Sequence, residues 1–258
     1  MADTVNYEQD DAVAIISLNR PDKLNGFTSE LCADLLLAFE TAQLDDSVRA
    51  IVFTGEGRAF SAGADLRAGF DGRRTTQGKL LWEYGPVLTA IAEVPKPVIA
   101  AVPGFAAGIG MSFVLQSDLV VMASDAFLLS PFTTISLLPD GGLNRLLVRQ
   151  VGYQRAFQLC IESERISADR CVELGLANRV APPGDVRDVA ISWAQELTKR
   201  APLSVAATKK VMRHAMDADW HSCYAMEAGL QRELQNSEDA KEGVDAFLEK
   251  REPVFRGK

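Results

Sequence analysis

Two apolar, β-branched-rich runs, residues 48–54 (VRAIVFT) and Val98–Val102 (VIAAV), each lead within a few residues into a glycine-rich turn. Runs of five to seven such residues without polar alternation suit strands buried on both faces, which occur in parallel sheets covered by helices. Parallel strands need crossover connections, so the segments between them must supply helices. This pattern commits the chain to an α/β fold and leaves little room for a bundle or a sandwich.

The intervening segments fit. Residues 12–18 (AVAIISL) read as a strand ending at the turn Asn19-Arg20-Pro21-Asp22. Thr28 and Ser29 can cap a helix whose apolar face is Leu31, Leu35, Phe39 and Ala42. A polar, glycine-rich stretch around Gly69–Gly78 reads as mobile, and a helix follows over residues 79–93, ended by Pro95 and Pro97. Residues 119–122 and 126–129 are further short strands. Beyond Ser167, which can cap a helix closed by Gly175, the pattern turns helical over 185–199, 203–216, 221–235 and 239–251. The expected organisation is an α/β core over 1–190 and a helical region over 191–258.

Composition narrows the function classes. With 47% apolar and 24% charged residues the chain has the make-up of a globular enzyme. A net charge of −8 argues against a nucleic-acid or anionic-membrane partner, both of which need a basic face. The four cysteines and two histidines fall at no metal-ligand spacing, so reduced thiols and no metal are expected. No apolar run approaches 18 residues, and the N-terminus lacks the pattern of a signal peptide.

The two glycine turns, residues 55–65 (GEGRAFSAGAD) and 104–110 (GFAAGIG), let a ligand approach the backbone closely. The second opens a helix, whose first N–H groups carry the positive end of its dipole. Facing each other, two such turns would make a pair of backbone donors.

Their combination with Asn19-Arg20-Pro21, Leu24-Asn25, residues 59–65 (AFSAGAD), residues 96–102 (KPVIAAV), Gly152, Ile166-Ser167-Ala168, Gly175-Leu176 and Glu242-Gly243 resembles the crotonase, or enoyl-CoA hydratase/isomerase, superfamily in order and spacing. The resemblance covers essentially the whole chain. It implies a spiral of β-β-α units with a helical C-terminal trimerisation segment, an acyl-CoA substrate, and a cytoplasmic homotrimer or dimer of trimers. Coenzyme A would enter as the substrate thioester, with no separate cofactor. The backbone N–H groups of Ala64 and Ile109 would hold the thioester oxygen, with Gly63 and Gly108 shaping the turns. Relatives mostly carry glycine at the position of Ile109, so its side chain must point away from the thioester.

The acid/base positions are informative by what stands there. Where hydratases of the superfamily place two glutamates, this chain has Ser112 and Phe132. A phenyl ring moves no proton, so two-glutamate hydration is disfavoured. Asp140, in Leu138-Pro139-Asp140-Gly141-Gly142, matches a third position that the family uses. The set Ser112, Phe132 and Asp140 is most similar to the isomerases of the phenylacetate pathway that act on 1,2-epoxyphenylacetyl-CoA. A single carboxylate can take a proton from C2 of a 3-enoyl thioester and return it at C4. Phe132, Leu137 and Leu138 are expected to raise its pKa. Pro-Asp-Gly-Gly is also an ordinary turn sequence.

Further positions carry two readings each. Asp65 could touch substrate or cap a following helix. Lys23, beside Leu24, is a CoA-phosphate contact by resemblance or a plain turn lysine. Ala62 and Leu66 would wall the adenine pocket, and Arg67, Arg73 and Arg74 would meet the nucleotide or stay solvated. Trp82 could line the acyl pocket or sit in the core. Asp118 reads as a turn or ion-pair residue. Phe255 and Lys258 lie in a tail that in relatives reaches a neighbouring subunit's CoA. The leading expectation is an acyl-CoA isomerase; the alternatives are an enoyl-CoA hydratase or a weakly active acyl-CoA-binding paralogue.

Overall fold

The structure, a computed structural model, describes residues 4–67 and 75–258 of the chain. The chain opens with a hairpin, β1 (Val5–Asp10) antiparallel to β2 (Val13–Leu18). The first helix, α1 (Ser29–Leu44), is capped by Thr28, whose side chain accepts from the Leu31 amide, and it buries Leu31, Leu35, Phe39 and Ala42. Strand β3 (Ala50–Gly55) is buried at every position and pairs in parallel with β2. Helix α2 (Thr76–Lys79) runs into α3 (Gly85–Glu93) through a π-helical turn over Leu80–Tyr84.

Then come β4 (Val98–Val102), the short β5 (Phe105–Ala107), α4 (Ile109–Gln116), β6 (Leu119–Ala123) and β7 (Phe127–Leu129). Helices α5 (Leu143–Val151) and α6 (Tyr153–Glu162) follow, then β8 (Ile166–Ser167), α7 (Ala168–Glu173) and β9 (Arg179–Ala181). The chain ends in α8 (Val186–Thr198), α9 (Pro202–Ala215), α10 (Trp220–Gln235) and α11 (Glu238–Glu249).

A six-stranded sheet has the order β1-β2-β3-β4-β6-β9, parallel from β2 onward, and a three-stranded sheet has the order β5-β7-β8. Buried apolar side chains fill the space between sheets and helices in one continuous cluster. Its aromatic part is Phe39 edge-on to Phe53, Phe53 edge-on to Phe60, and Phe27 stacked on Phe113 at 4.4 Å.

The C-terminal helices are tied to this body. Asp118, at the foot of β6, pairs with Lys209 at 2.7 Å and Arg213 at 2.9 Å, both on α9, and accepts from the Val98 amide. Its expected role as an ion-pair residue holds. Residue 190, the expected division, falls inside α8, which buries Val186, Ala190 and Ala194.

Several expectations need correction. Residues 5–10, ahead of the strand read over 12–18, form β1, exposed over its second half. The helix expected over 79–93 begins at Thr76 and widens before Gly85. Trp82 neither lines a pocket nor joins the core; it is 71% exposed, because the widened turn directs it outward. Arg73, Arg74 and the stretch expected to be mobile lie largely outside the described residues.

Candidate active site

The two glycine turns abut. Ala107 donates to the Ser61 carbonyl at 2.9 Å, and Ser61 and Ala106 form a parallel bridge. The approach is close: a Cβ on Gly63, whose φ is +97°, would lie 2.9 Å from the Ala107 carbonyl oxygen and 3.6 Å from the Gly108 Cα. On the other side, Ala62 donates to the Leu24 carbonyl at 2.8 Å, so the Lys23–Leu24 turn and the 62–65 loop form one edge. Among the described residues, neither the Ala64 N–H nor the Ile109 N–H donates to any acceptor.

The platform under these turns is polar and fully buried. Asn25, 0% exposed, accepts from the Arg20 amide and donates through Nδ2 to the Glu56 and Ala59 carbonyls at 3.0 and 2.9 Å. Its own carbonyl accepts from Ser61 Oγ at 2.8 Å. The helix that Asp65 was expected to cap would lie outside the described residues; the Asp65 carboxylate pairs with Arg20 at 3.0 Å and accepts from the Arg67 amide.

The Ile109 side chain is buried and lies against the 139–142 turn. A Cβ on Gly141, φ +62°, would fall 2.1 Å from Ile109 Cδ1. The isoleucine therefore occupies the space that a side chain at 141 would need. Ser112, one helical step further on α4, donates from Oγ to the Asp140 backbone carbonyl at 2.9 Å. Its hydroxyl proton is committed to holding the Asp140 turn. Phe132 is buried, with its ring end 3.8 Å from where a Gly108 Cβ would be.

Asp140 itself stands apart chemically. Burial pushes its carboxyl up to about 6. Its Oδ1 is a buried oxygen with no hydrogen-bond partner among the described residues. The direction and its cause, burial, are the expected ones; of the three apolar neighbours expected to supply it, Phe132 is buried, while Leu137 and Leu138 are 51% and 72% exposed. Tyr84, which sequence reading missed, is buried, and burial first, then the charges of Cys32, Asp140 and Glu83, push its phenol above the ordinary range. Glu83, the neighbouring buried carboxylate, accepts from Ser29 Oγ at 2.9 Å.

Lys23, Ala62, Leu66 and Arg67 are exposed along the loop edge. The C-terminal tail folds onto its own chain: Arg49 donates to the Phe255 carbonyl at 2.7 Å, and the Asp239 amide donates to the Lys258 carbonyl at 3.0 Å.

The enoyl-CoA hydratase/isomerase family model matches residues 8–258, almost the whole length. The chain belongs to the enoyl-CoA hydratase/isomerase family. It is similar to a probable enoyl-CoA hydratase of Rhodobacter capsulatus, 38% identical over 99% of this chain and 98% of that protein. It is similar also to the 1,2-epoxyphenylacetyl-CoA isomerase of Escherichia coli, 34% identical over 95% of each. The crystal structure of an enoyl-CoA hydratase from Polaromonas sp. superposes with a TM-score of 0.92 at 33% identity, over 97% of this chain and 99% of that one. As an enoyl-CoA hydratase/isomerase family member it is an enzyme of acyl-CoA chemistry with the crotonase fold. No helix among the described residues is long and apolar enough to cross a membrane.

Proposed function

We propose that this family member is an acyl-CoA isomerase that shifts a double bond, or rearranges a ring epoxide, through a thioester enolate, with Asp140 carrying the proton. The observation that carries the reading is the unpartnered, buried Asp140 Oδ1 on a carboxyl lifted to about 6. An oxygen in that state gains from accepting a proton and is ionised at neutral pH, as a general base must be.

In the reaction, Asp140 removes a proton from C2 of the 3-enoyl thioester, and the electron pair moves onto the thioester oxygen. The Ala64 and Ile109 amides, which donate to no described residue, meet that charge; losing one such donor costs roughly 3–4 kcal/mol of barrier. Asp140 then returns the proton at C4, the C2–C3 double bond forms, and the oxygen becomes a carbonyl again. Lys23, Leu24, Ala62 and Leu66 form the exposed edge assigned to the CoA moiety, which enters as part of the substrate. The apolar side chains Met212, Trp220, Tyr224 and Phe247 that α9–α11 leave exposed support a trimeric assembly, and we assign the protein to the cytoplasm.

The second reading, a hydratase, is favoured by the name of the Rhodobacter relative. It lacks a second proton carrier here, since Ser112 Oγ donates to the Asp140 backbone and Glu83 is engaged by Ser29. The test compares double-bond migration in 3-hexenoyl-CoA with hydration of crotonyl-CoA. Migration with slow or absent hydration supports the isomerase; fast hydration that survives Asp140→Asn overturns the assignment.

A further inference from the structure

Three side chains meet the backbone of the 139–142 turn. Asn144, in the first turn of α5, donates from Nδ2 to the Pro139 carbonyl at 2.6 Å. Ser112 Oγ donates to the Asp140 carbonyl at 2.9 Å, and the Leu143 amide donates to the same oxygen at 3.1 Å. Ile109 supplies the third contact, which is apolar. A Cβ on Gly141 would lie 2.1 Å from Ile109 Cδ1 and 3.0 Å from Ser112 Cβ. Ile109 and Ser112 stand one helical turn apart on α4, so a single face of that helix meets the bend twice.

The bend needs holding from outside. Gly141 and Gly142 follow one another at φ +62° and +80°, and neither has a side chain with which to anchor itself. The Asp140 carboxylate adds no anchor through Oδ1, which is buried without a hydrogen-bond partner among the described residues. Where the carboxylate stands is therefore set by where the backbone at 140 and 141 stands. Ser112 fixes one atom of it, the Asp140 carbonyl oxygen. Buried Ile109, at the start of α4, sets how closely residue 141 approaches that helix.

We propose that Ile109 is a positioning residue for Asp140. Its Cδ1 spaces the 139–142 turn from α4, so the residue whose amide is assigned to the thioester oxygen also sets the place of the carboxylate. The inference rests on the reading of Asp140 as the proton carrier. Catalysis is steep in the placement of reacting groups, and a misplacement of about 1 Å can cost about a hundredfold in rate. Deleting one methyl group from the spacer lets the turn move by a fraction of that, for a loss of about three- to tenfold.

The test uses Ile109→Val, which removes Cδ1, keeps the amide, and is a deletion small enough for the fold to bear. Ile51→Val makes the same deletion in the buried strand β3. Isomerisation of 3-hexenoyl-CoA is measured for each variant, alone and combined with Asp140→Asn. In Ile109→Val kcat should fall about three- to tenfold at unchanged KM, while Ile51→Val keeps the native kcat. Added to Asp140→Asn, Ile109→Val should cost nothing further. A kcat within about twofold of native, or a loss matched by Ile51→Val, overturns the proposal. So does a loss of the same size in the Asp140→Asn background, which would place the effect at the residue 109 amide and not at the carboxylate.

Amide hydrogen exchange is followed beside the kinetics. Leu143 reports the turn, and Val98, whose amide donates to the Asp118 carboxylate, reports the body of the fold. In Ile109→Val the Leu143 amide should be accelerated more than the Val98 amide; equal acceleration overturns the proposal. Absent turnover of 3-hexenoyl-CoA by the native protein would sink the isomerase reading, and the Leu143 exchange would then decide alone whether Ile109 holds the turn.

Discussion

Replacing Asp140 by Asn should trade activity for a stability that depends on pH. A carboxyl lifted from 3.8 to about 6 carries at most about 3 kcal/mol of ionisation penalty in the folded state, at 1.36 kcal/mol per pH unit. Asp140 is only partly enclosed, so a discount of about half is due. The folded protein binds this proton more tightly than the unfolded chain. Its contribution to stability is therefore fully present below about pH 3.8 and is lost as pH rises through about 6. About 1 kcal/mol of the loss should fall between about pH 4.5 and about pH 7.5. Asn does not titrate, so the stability difference between the variant and the native protein should move by that amount in the variant's favour over the interval, and any packing cost of the amide cancels. Urea unfolding at the two pH values measures it. In parallel, 3-hexenoyl-CoA isomerisation should fall by about 10² to 10⁴ in the variant. The native rate should decline about tenfold per unit below pH 6, and the residual rate of the variant should be flat. A pH-independent stability difference would refute the burial argument, and a rate within tenfold of native would refute the role of Asp140.

Other perturbations probe the frame around that carboxylate. Gly141→Ala should cost about 1–3 kcal/mol in thermal or urea unfolding, since its Cβ would meet Ile109 Cδ1 at 2.1 Å, and Ile109→Ala in the same chain should recover part of that loss. Ser112→Ala should lower the isomerisation rate by about tenfold without moving its pH midpoint, because the hydroxyl holds the Asp140 backbone and not its carboxylate. Asn25→Ala should destabilise by about 3 kcal/mol or more, leaving the Glu56 and Ala59 carbonyls and the Arg20 amide unpaired in the interior.

Much of the frame was legible in residue order. Thr28 and the 3–4 spacing of Leu31, Leu35 and Phe39 announced α1, and the unbroken apolar run VIAAV announced β4 to the residue. Strand β1 was hidden because its second half faces solvent and is built from Glu8, Gln9 and Asp10; only pairing with β2 makes it a strand. Helix α5 has Gly142 at its N-cap position, with no side chain to cap it, so it carried no start signal.

At the site, the close approach of the two glycine turns was readable, and the direction of the Ile109 side chain was not, since that depends on how far the 139–142 turn folds back. The raised Asp140 carboxyl has the expected cause, burial, but of its three expected apolar neighbours only Phe132 is itself buried; Leu137 and Leu138 look like core and are exposed. Gly85-Pro86 was the available clue to the π turn, and hence to Tyr84; a proline that deep in a helical pattern forces the helix either to end or to widen.

The nearness of Ile109 Cδ1 to the place a Gly141 Cβ would take also bears on the order of change. A descendant of this chain that enlarged residue 141, and so re-aimed the neighbouring Asp140, would lose less stability if residue 109 had first become smaller. Taken in the other order, the first step forces the Ile109 side chain to shift and carries the larger cost. The positive φ of residue 141 adds strain along either path.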